Sequence, residues 1–432
     1  MRFFHLSDLH IGKQLHHYNL KEDQEHILGE VVKYARELVP DAIVIAGDIY
    51  DKSVPAAEAV EVFDRFLTEL AEIVVYEGNE GTDRTFRADE SQNTPEGNGR
   101  HIPILLVAGN HDSAERLEYA REILKKQHIF IAGKAPETAE EHIRKVTLCD
   151  GEGEVDFYLL PFLKPGYVRG VFEDGTPQSY QAAVEGLLSR EEIDENRRNV
   201  LVSHQFYAGN GGEMQTCDSE SISVGGLDRI DGSVIAMFDY AALGHLHGAQ
   251  CAGAEHVRYC GTLLKYSVSE SGHKKSLHVV NVGAKGEPVR VETYPLHPLR
   301  DVRRVRGELK EILADGAGHG SEPAENSEEP QKVHKSGICD DYISITLTDE
   351  VEPYRPKEQL EKAFSHILEV RMDNSRTRRK LEEFDGETRQ ENPLILFQDF
   401  YREIQGHEMS EEETDIVNRI VAETDGRELT SS

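Results

Sequence analysis

The chain has 432 residues, a length that predicts about two to four domains. Its hydrophobic fraction of 38% is enough for at least one large core, which excludes a wholly disordered protein. The net charge of −32, from 48 basic and 80 acidic residues, excludes a nucleic-acid binder that works by bulk electrostatic attraction. A local basic patch, a metal-lined cleft or a basic partner remains compatible with this charge.

The sequence predicts neither a membrane-spanning segment nor a secretory signal. No apolar run approaches the ~18 residues that a bilayer requires, and the N-terminus reads as a short strand rather than a secretory signal. The cysteines are odd in number and never form Cys-x-x-Cys, which disfavours disulfides and zinc fingers: Cys149, Cys217, Cys251, Cys260 and Cys339. The sequence therefore predicts a soluble, cytoplasmic protein.

The first 250 residues alternate short apolar runs with segments of helical periodicity, which predicts an α/β layered domain. Strands are expected at residues 2–6, 42–46, 102–108, 157–160 and 199–203. Helices are expected at residues 21–38 and 56–75, and another begins near residue 114. Residues 77–100 are polar and Gly-rich, and we interpret them as an exposed insertion.

The remaining residues predict two further parts. Strands at residues 257–264, 276–282 and 289–294 are expected to be antiparallel and to complete the sheet of a domain spanning residues 1–296. Strands at 300–309 and 342–347 and a helix at 356–369 predict a small α+β domain (297–380) with a flexible segment at 314–336. Residues 381–432 contain two amphipathic helices, the second opened by a capping box of Ser410 and Glu413, and this hairpin suits a partner.

Five predicted strand ends are each followed by Asp, Asn or His. The carboxyl ends of neighbouring strands in an open α/β sheet meet at one edge, where ligands bind. Alternate residues of an extended chain point the same way, so Asp-x-His and His-x-His each present two ligands together. The candidate ligands are Asp8, His10, Asp48, Asn110, His204, His245 and His247, and His111 follows one of them.

This set offers oxygen and imidazole without thiolate, which suits divalent manganese, iron or zinc. It is too large for one ion but suits two ions ~3.5–4 Å apart that share a carboxylate. Such a pair activates a water molecule and neutralises charge on a phosphoryl oxygen. A single Asp-x-His or His-x-His is common in ordinary loops, whereas all five groups in order indicate a dinuclear metal site.

The ordered motifs resemble the calcineurin-like metallophosphoesterases and, within them, the nuclease subunits of bacterial SMC-type DNA-repair complexes. The matching stretches are Leu-Ser-Asp-Leu-His-Ile-Gly, Ala-Gly-Asp-Ile-Tyr-Asp-Lys, Pro-Ile-Leu-Leu-Val-Ala-Gly-Asn-His-Asp-Ser and Gly-His-Leu-His. The resemblance covers residues 1 to about 296 and the tail around 392–421. It implies a layered β-sandwich flanked by helices, a small α+β capping domain and a C-terminal helical hairpin.

The same resemblance implies a role for each candidate residue. Asp8, His10 and His247 would hold one ion, Asn110, His204 and His245 the other, and Asp48 would bridge them. His111 would not bind metal but would assist the leaving group, consistent with an imidazole that titrates near neutrality. Asp112 would either orient His111 or cap the following helix. Asp51 stands where some relatives carry His, and we assign it no catalytic role.

The resemblance further implies a manganese-dependent DNA endonuclease and 3′-to-5′ exonuclease. It implies a homodimer through helices near residues 56–75 and 114–127, and an SMC-type ATPase that binds the C-terminal helices. Two alternatives stay open, namely a phosphodiesterase or phosphatase for a small or protein substrate, and a scaffold with a vestigial metal site. Basic residues at 300–306 and 371–380 would meet DNA, solvent or the partner, and we expect the isolated chain to bind duplex DNA weakly.

Overall fold

The computed structural model describes residues 1–76, 99–173, 175–209, 214–220, 228–314 and 339–377, with a few positions between 398 and 417. The chain divides into two compact units. The first comprises residues 1–306, 310–345 and 355–370, and the second comprises residues 307–309, 346–354 and 371–432. The predicted domain boundaries after residues 296 and 380 stay predictions.

Two six-stranded sheets form the centre of the first unit. The strand order in the first sheet is Arg290–Pro295, Ser276–Asn281, Arg2–Leu6, Ala42–Ala46, Ile104–Val107 and Ile129–Ala132. The order in the second sheet is Gln250–Cys251, Val257–Tyr259, Tyr240–Gly244, Arg198–His204, Gly153–Leu160 and Arg144–Asp150. Four consecutive strands of each sheet run parallel, from Arg2–Leu6 to Ile129–Ala132 and from Val257–Tyr259 to Gly153–Leu160.

The two sheets pack face to face, and strand alternation decides which side chains lie between them. Phe3 and Val44 point into the space between the sheets, whereas their neighbours Phe4 and Ile43 pack on the helical side. Phe3 contacts Phe157 of the second sheet edge to face, with ring centroids 5.5 Å apart. Both faces of the parallel strands are therefore buried, which explains their unbroken apolar sequences.

Helices cover the outer faces of the sheets. In the helix Lys21–Leu38, Ile27, Leu28, Val31, Val32 and Ala35 form the buried stripe. The remaining α-helices of the described chain are Ala57–Ala71, Ala114–Leu117, Arg121–Leu124, Tyr180–Leu188, Leu309–Ala314 and Pro356–Leu360. Short strand pairs join Gln14–Leu15 to Tyr18–Asn19, Val74–Tyr76 to Gly99–His101, and Tyr207–Ala208 to Ile230–Asp231.

The predicted α/β sandwich flanked by helices is confirmed, including the bounds of Arg2–Leu6, Ala42–Ala46 and Lys21–Leu38. The helix predicted at 56–75 is shorter, because it ends at Ala71 and the chain then enters the strand Val74–Tyr76. The helix expected from residue 114 is broken at Ala120, whose φ of 62° interrupts it.

Two other predictions are wrong. Residues 356–369 do not form one helix, because the chain leaves the helix Pro356–Leu360 and becomes the strand Phe364–Met372. This strand is the third of a sheet with the order Val302–Gly307, Cys339–Leu347 and Phe364–Met372. The strand Val257–Tyr259 belongs to the second sheet, where it runs parallel to Tyr240–Gly244 and antiparallel to Gln250–Cys251. The strands Ser276–Asn281 and Arg290–Pro295 are antiparallel as predicted and lie in the first sheet.

The predicted insertion at 77–100 and the flexible segment at 314–336 fall almost entirely outside the described residues, as do most of the predicted C-terminal helices. The capping box lies among the described positions and is confirmed. The Glu413 carboxylate accepts from the Ser410 backbone N–H at 2.8 Å, and the Ser410 hydroxyl accepts from the Glu413 backbone N–H at 3.3 Å.

Among the described residues, no helix combines the length and apolar character that a membrane span needs. All five cysteines are free thiols.

A buried ion-pair cluster closes one end of the second sheet. The Arg198 guanidinium is 2% exposed and donates to Asp150 Oδ1 at 2.5 Å and to the Gly153 carbonyl at 2.6 Å. The Met1 amino group pairs with the other Asp150 oxygen. Burial alone would raise the pKa of Asp150, but hydrogen bonds from Arg198 and the amino group outweigh it and lower the pKa to about 2.

We predict that Asp150→Asn lowers the free energy of unfolding by about 3 kcal/mol at pH 7, because it leaves the buried Arg198 charge without a carboxylate. The depressed pKa stabilises the wild type above the ordinary carboxyl pKa of about 4, and this contribution is lost as the pH falls through 2. Urea unfolding from pH 7 down to pH 2 measures both effects. A variant whose stability falls as steeply with acid as the wild type would contradict this account.

Candidate metal centre

The five motif-bearing loops lie together at the carboxyl ends of neighbouring strands. Asp8 and His10 follow Arg2–Leu6, and Asp48 follows Ala42–Ala46 in the same sheet. Beyond these strands the two loops stay paired, because the Asp8 backbone N–H donates to the Gly47 carbonyl and the His10 N–H to the Asp48 carbonyl, both at 3.0 Å. Asn110, His204, His245 and His247 come from the adjoining strand ends of both sheets.

The first group of ligand atoms comes from Asp8, His10 and His247. Their candidate atoms all lie within 4.8 Å of one another, and all three residues are buried. His10 Nε2 and His247 Nε2 are only 3.1 Å apart. Two ring nitrogens aimed at one point, with a carboxylate beside them, form a donor set that fits a divalent cation.

The second group comes from Asn110, His204 and His245. Asn110 Oδ1 lies 3.0 Å from His204 Nε2 and 3.0 Å from His245 Nδ1. The other nitrogen of His204 is held by the Ala46 carbonyl at 2.7 Å, which fixes Nε2 as the atom facing the group.

Asp48 faces both groups with one oxygen. Its Oδ2 lies 3.6 Å from His10 Nε2 and 3.4 Å from His204 Nε2. Its Oδ1 accepts a hydrogen bond from the His111 backbone N–H at 2.9 Å, so the carboxylate cannot turn freely. The structure thus brings together all of the predicted ligands, with the predicted bridging residue between the two groups.

The backbone at this site is strained. Asp8, His10, Asp48 and His245 have φ values of 52°, 43°, 50° and 110°, in the left-handed half of the map that non-glycine residues seldom occupy. Such conformations persist only where the surroundings enforce them, and they concentrate at functional sites. Four of the candidate ligands share this property.

Two glycines allow the loops to approach so closely. A Cβ on Gly109 would collide with the Asp48 carboxylate and backbone nitrogen. Gly47 has a φ of 90°, and a Cβ there would collide with the His204 ring. Glycine is therefore required at both positions for contact between the loops, in addition to its backbone freedom at Gly47.

The electrostatics of the buried site favour bound cations. Burial holds the pKa of His10 well below its usual range, and burial with the nearby His204 lowers the pKa of His245 to about 3. Both rings are therefore neutral, the form in which an imidazole can bind a metal ion. Burial also acts against a charged His204, but the Asp48 and Asp8 carboxylates outweigh it and raise the pKa of His204 to about 9. A bound metal ion would replace the proton on His204 as the positive charge beside Asp48.

His111 lies at the edge of the site and is only half-buried. Its ring stands edge-on to His10, with centroids 4.9 Å apart, and its Nδ1 contacts the Asp51 carbonyl at 2.9 Å. A ring nitrogen of His111 also lies within 4.8 Å of candidate ligand atoms of His10 and Asp48. The distances alone therefore allow His111 to be either a metal ligand or a proton donor.

Two acidic residues have positioning contacts that the sequence did not indicate. Asp112 neither orients the His111 ring nor caps the following helix, whose first turn has no side-chain cap. Its Oδ1 accepts from the Tyr50 backbone N–H at 2.9 Å, and its Oδ2 accepts from Gly109 at 2.9 Å and from Ile49 at 3.1 Å. Asp51 pairs with Lys13 at 2.8 Å, and its backbone carbonyl holds His111. Both residues stabilise the loops through contacts with residues that are not candidate ligands.

Residues 1–248 match the family model for calcineurin-like phosphoesterases. The chain belongs to this family. It is therefore a hydrolase of phosphoesters, and the family fold implies divalent metal ions at the site described above. Residues 298–405 match a second model, that of the type 5 capsule protein repressor C-terminal domain.

Curated relatives extend the similarity to almost the whole chain. The chain is 27% identical to the SbcD subunit of nuclease SbcCD from Staphylococcus epidermidis over 430 residues, which covers 98% of both chains. It is 29% identical to the protein of the same name from Staphylococcus saprophyticus over 317 residues, covering 73% of this chain and 74% of the relative. A crystal structure of phosphopantetheinyl hydrolase from Mycobacterium tuberculosis overlaps 60% of this chain and 86% of its own at 15% identity and a TM-score of 0.32, too little to bear on function.

We predict that Gly109→Ala weakens Mn²⁺ binding by roughly 10–100-fold without removing any ligand, because the new methyl group displaces Asp48. Gly29→Ala is the matched control, since a Cβ there meets nothing within 4 Å and alanine favours the helix Lys21–Leu38. Isothermal titration of the metal-free proteins with Mn²⁺ measures the effect. Equal affinities in the two variants would show that the approach of these loops does not control metal binding.

Proposed function

We propose that this chain is the nuclease subunit of an SbcCD-type complex and hydrolyses DNA phosphodiesters with two divalent ions, preferentially Mn²⁺. The observation that carries the proposal is the single Asp48 oxygen shared by two ligand groups, in a chain similar along 98% of its length to a curated nuclease subunit. The reactions would be single-strand endonuclease and 3′-to-5′ double-strand exonuclease cleavage. They would serve DNA repair, recombination and hairpin processing in the cytoplasm.

Asp8, His10 and His247 would hold one ion, and Asn110, His204 and His245 the other, with Asp48 shared. When bound, such ions supply an activated water and neutralise charge on the phosphate. The protein's part is to hold the imidazoles and carboxylates in place without solvent, since all of these side chains except Asn110 are buried. The rigid loops thereby avoid reorganisation when the phosphodiester arrives.

His111 would protonate the departing oxygen. Its Nδ1–H is held by the Asp51 carbonyl, so the other ring nitrogen is available to carry a second proton. The transfer would move that proton from Nε2 to the leaving 3′-oxygen as the P–O bond breaks, and the ring would end neutral. Asp51 would keep the ring orientation in both protonation states.

We expect the basic residues near position 300 to contribute little to DNA affinity in the isolated chain. The Arg300 side chain donates to Glu22, Asp23 and Asp340 at 2.9–3.1 Å, and Arg303 pairs with Asp341 at 3.2 Å. These guanidinium groups connect elements of the first unit and already have carboxylate partners. We therefore assign most of the DNA affinity to the partner of the complex.

The proposed assembly is a homodimer combined with an SbcC-like SMC-type ATPase. Large apolar side chains are exposed around the helices expected at the dimer interface, with exposed fractions of 67% for Val54, 44% for Val60, 82% for Tyr119 and 67% for Ile123. The C-terminal helices would bind the ATPase.

Sedimentation of wild type beside Tyr119→Glu tests the dimer, and co-purification with and without residues 381–432 tests the ATPase contact. A monomeric wild type, or capture of the ATPase without the tail, would refute the respective contact.

We predict that His111→Ala keeps both Mn²⁺ ions but cleaves DNA roughly 10²–10⁴ times more slowly, because only proton transfer is lost. Asp48→Ala should lose both the metals and the activity. His256→Ala, at a half-buried histidine whose ring contacts the Ala236 carbonyl, is the control for removing an imidazole elsewhere.

The assay measures Mn²⁺-dependent release of nucleotides from linear duplex DNA, beside hydrolysis of a cyclic nucleotide and metal content per chain. Loss of metal in His111→Ala would show that His111 is a ligand. Cyclic-nucleotide hydrolysis without any DNA cleavage would replace the nuclease proposal with a small-substrate phosphodiesterase.

A further inference from the structure

His247 contacts a polar network on the side away from the proposed metals. Its Nε2 faces His10, so its Nδ1 points outward, and the Ser219 hydroxyl oxygen lies 2.7 Å from Nδ1. Neither the motifs nor the family resemblance points to Ser219, which lies 28 residues before His247. The contact therefore adds a residue to the site that the proposed mechanism has not used.

The same hydroxyl group contacts a buried carboxylate. Ser219 Oγ lies 2.7 Å from Oε1 of Glu270, which has no solvent exposure. The Lys275 ammonium lies 2.7 Å from the other oxygen, Oε2, and pairs with it as a buried counter-ion. Glu270 is thus an anion that only accepts hydrogen bonds.

The direction of each hydrogen bond follows from this arrangement. Ser219 has one hydroxyl hydrogen, which it must donate to Glu270, so its oxygen accepts from His247 Nδ1–H. A neutral imidazole protonated at Nδ1 keeps a free lone pair at Nε2, the atom that faces His10. The chain from Lys275 through Glu270 and Ser219 thereby selects the metal-binding tautomer of His247.

A neighbouring residue holds the backbone of the same ligand. The Glu220 carboxylate accepts from the His247 backbone N–H at 2.6 Å and from the Cys217 backbone N–H at 3.0 Å. Residues 217–220 thus contact both the ring and the main chain of His247. This second contact fixes the position of His247, while Ser219 selects its tautomer.

We propose that Ser219 and Glu270 are positioning residues that orient His247 and set its tautomer for metal binding. The inference rests on the proposed function, because it assigns His247 to one of the two ions.

A separate metal site at Glu270 is a weaker interpretation. Glu270 also lies within 4.8 Å of candidate ligand atoms of Cys217 and His273. Its oxygens, however, already accept from Lys275, Ser219 and Ser267, and a cation there would face the Lys275 ammonium. The network therefore supports His247 rather than an ion of its own.

The test compares Mn²⁺ affinity and stoichiometry in Ser219→Ala, Ser219→Thr and Ser267→Ala by isothermal titration of the full chain. Ser267 is the matched control, since its hydroxyl lies 2.9 Å from the same Glu270 oxygen. We expect Ser219→Ala to weaken one of the two Mn²⁺ sites by roughly 10–100-fold, while Ser219→Thr and Ser267→Ala bind like the wild type. Thermal unfolding in chelator should show equal stabilities for the two alanine variants.

Two results would overturn the inference. Ser219→Ala could bind both ions like the wild type, or Ser267→Ala could weaken binding as much as Ser219→Ala, which would make the effect one of general stability. Failure of the proposed function looks different, because the wild type itself would then bind fewer than two Mn²⁺ ions or leave DNA uncut.

Discussion

The site depends on the position of one carboxylate oxygen. Asp48 Oδ2 faces candidate ligand nitrogens of both groups, and the other oxygen of Asp48 is held by the His111 backbone. A carboxylate held on one side and shared on the other sets the distance between two cations. The strained backbone at Asp48 and the absence of a side chain at Gly109 allow the Asp48 carboxylate to occupy this position.

The fold supplies these conditions from a distance. His204 ends and His247 follows strands of the second sheet, whereas Asp8 and Asp48 follow strands of the first. Each ligand group combines residues from both sheets, so packing between the sheets decides whether each group assembles. Phe3 and Phe157 lie in that interface, where close packing tolerates little movement. The hydrophobic core thus acts on the chemistry through the relative placement of two sets of strand ends.

The sequence predicts the grouping of the candidate ligands better than the contacts around them. Candidate ligands at strand ends are recognisable because local patterning places them. Ser219 contacts His247 from a turn, and Glu270 contacts Ser219 from the 3-10 helix Val268–Gly272, and neither segment carries a motif. The strand Phe364–Met372 resembles a helix in sequence because Phe364, Ile367 and Leu368 have helical spacing, and only its neighbours in the sheet decide otherwise. The contacts of Asp112 are equally hard to predict from sequence, because the Ile49 and Tyr50 backbone N–H groups that donate to it are distant in the chain.

The central claim is that two cations share Asp48. Anomalous diffraction from crystals grown with Mn²⁺, recorded at the manganese edge, measures this most directly. The account predicts two peaks ~3.5–4 Å apart with the Asp48 carboxylate between them. A single peak, or two peaks of which only one lies beside Asp48, would contradict it.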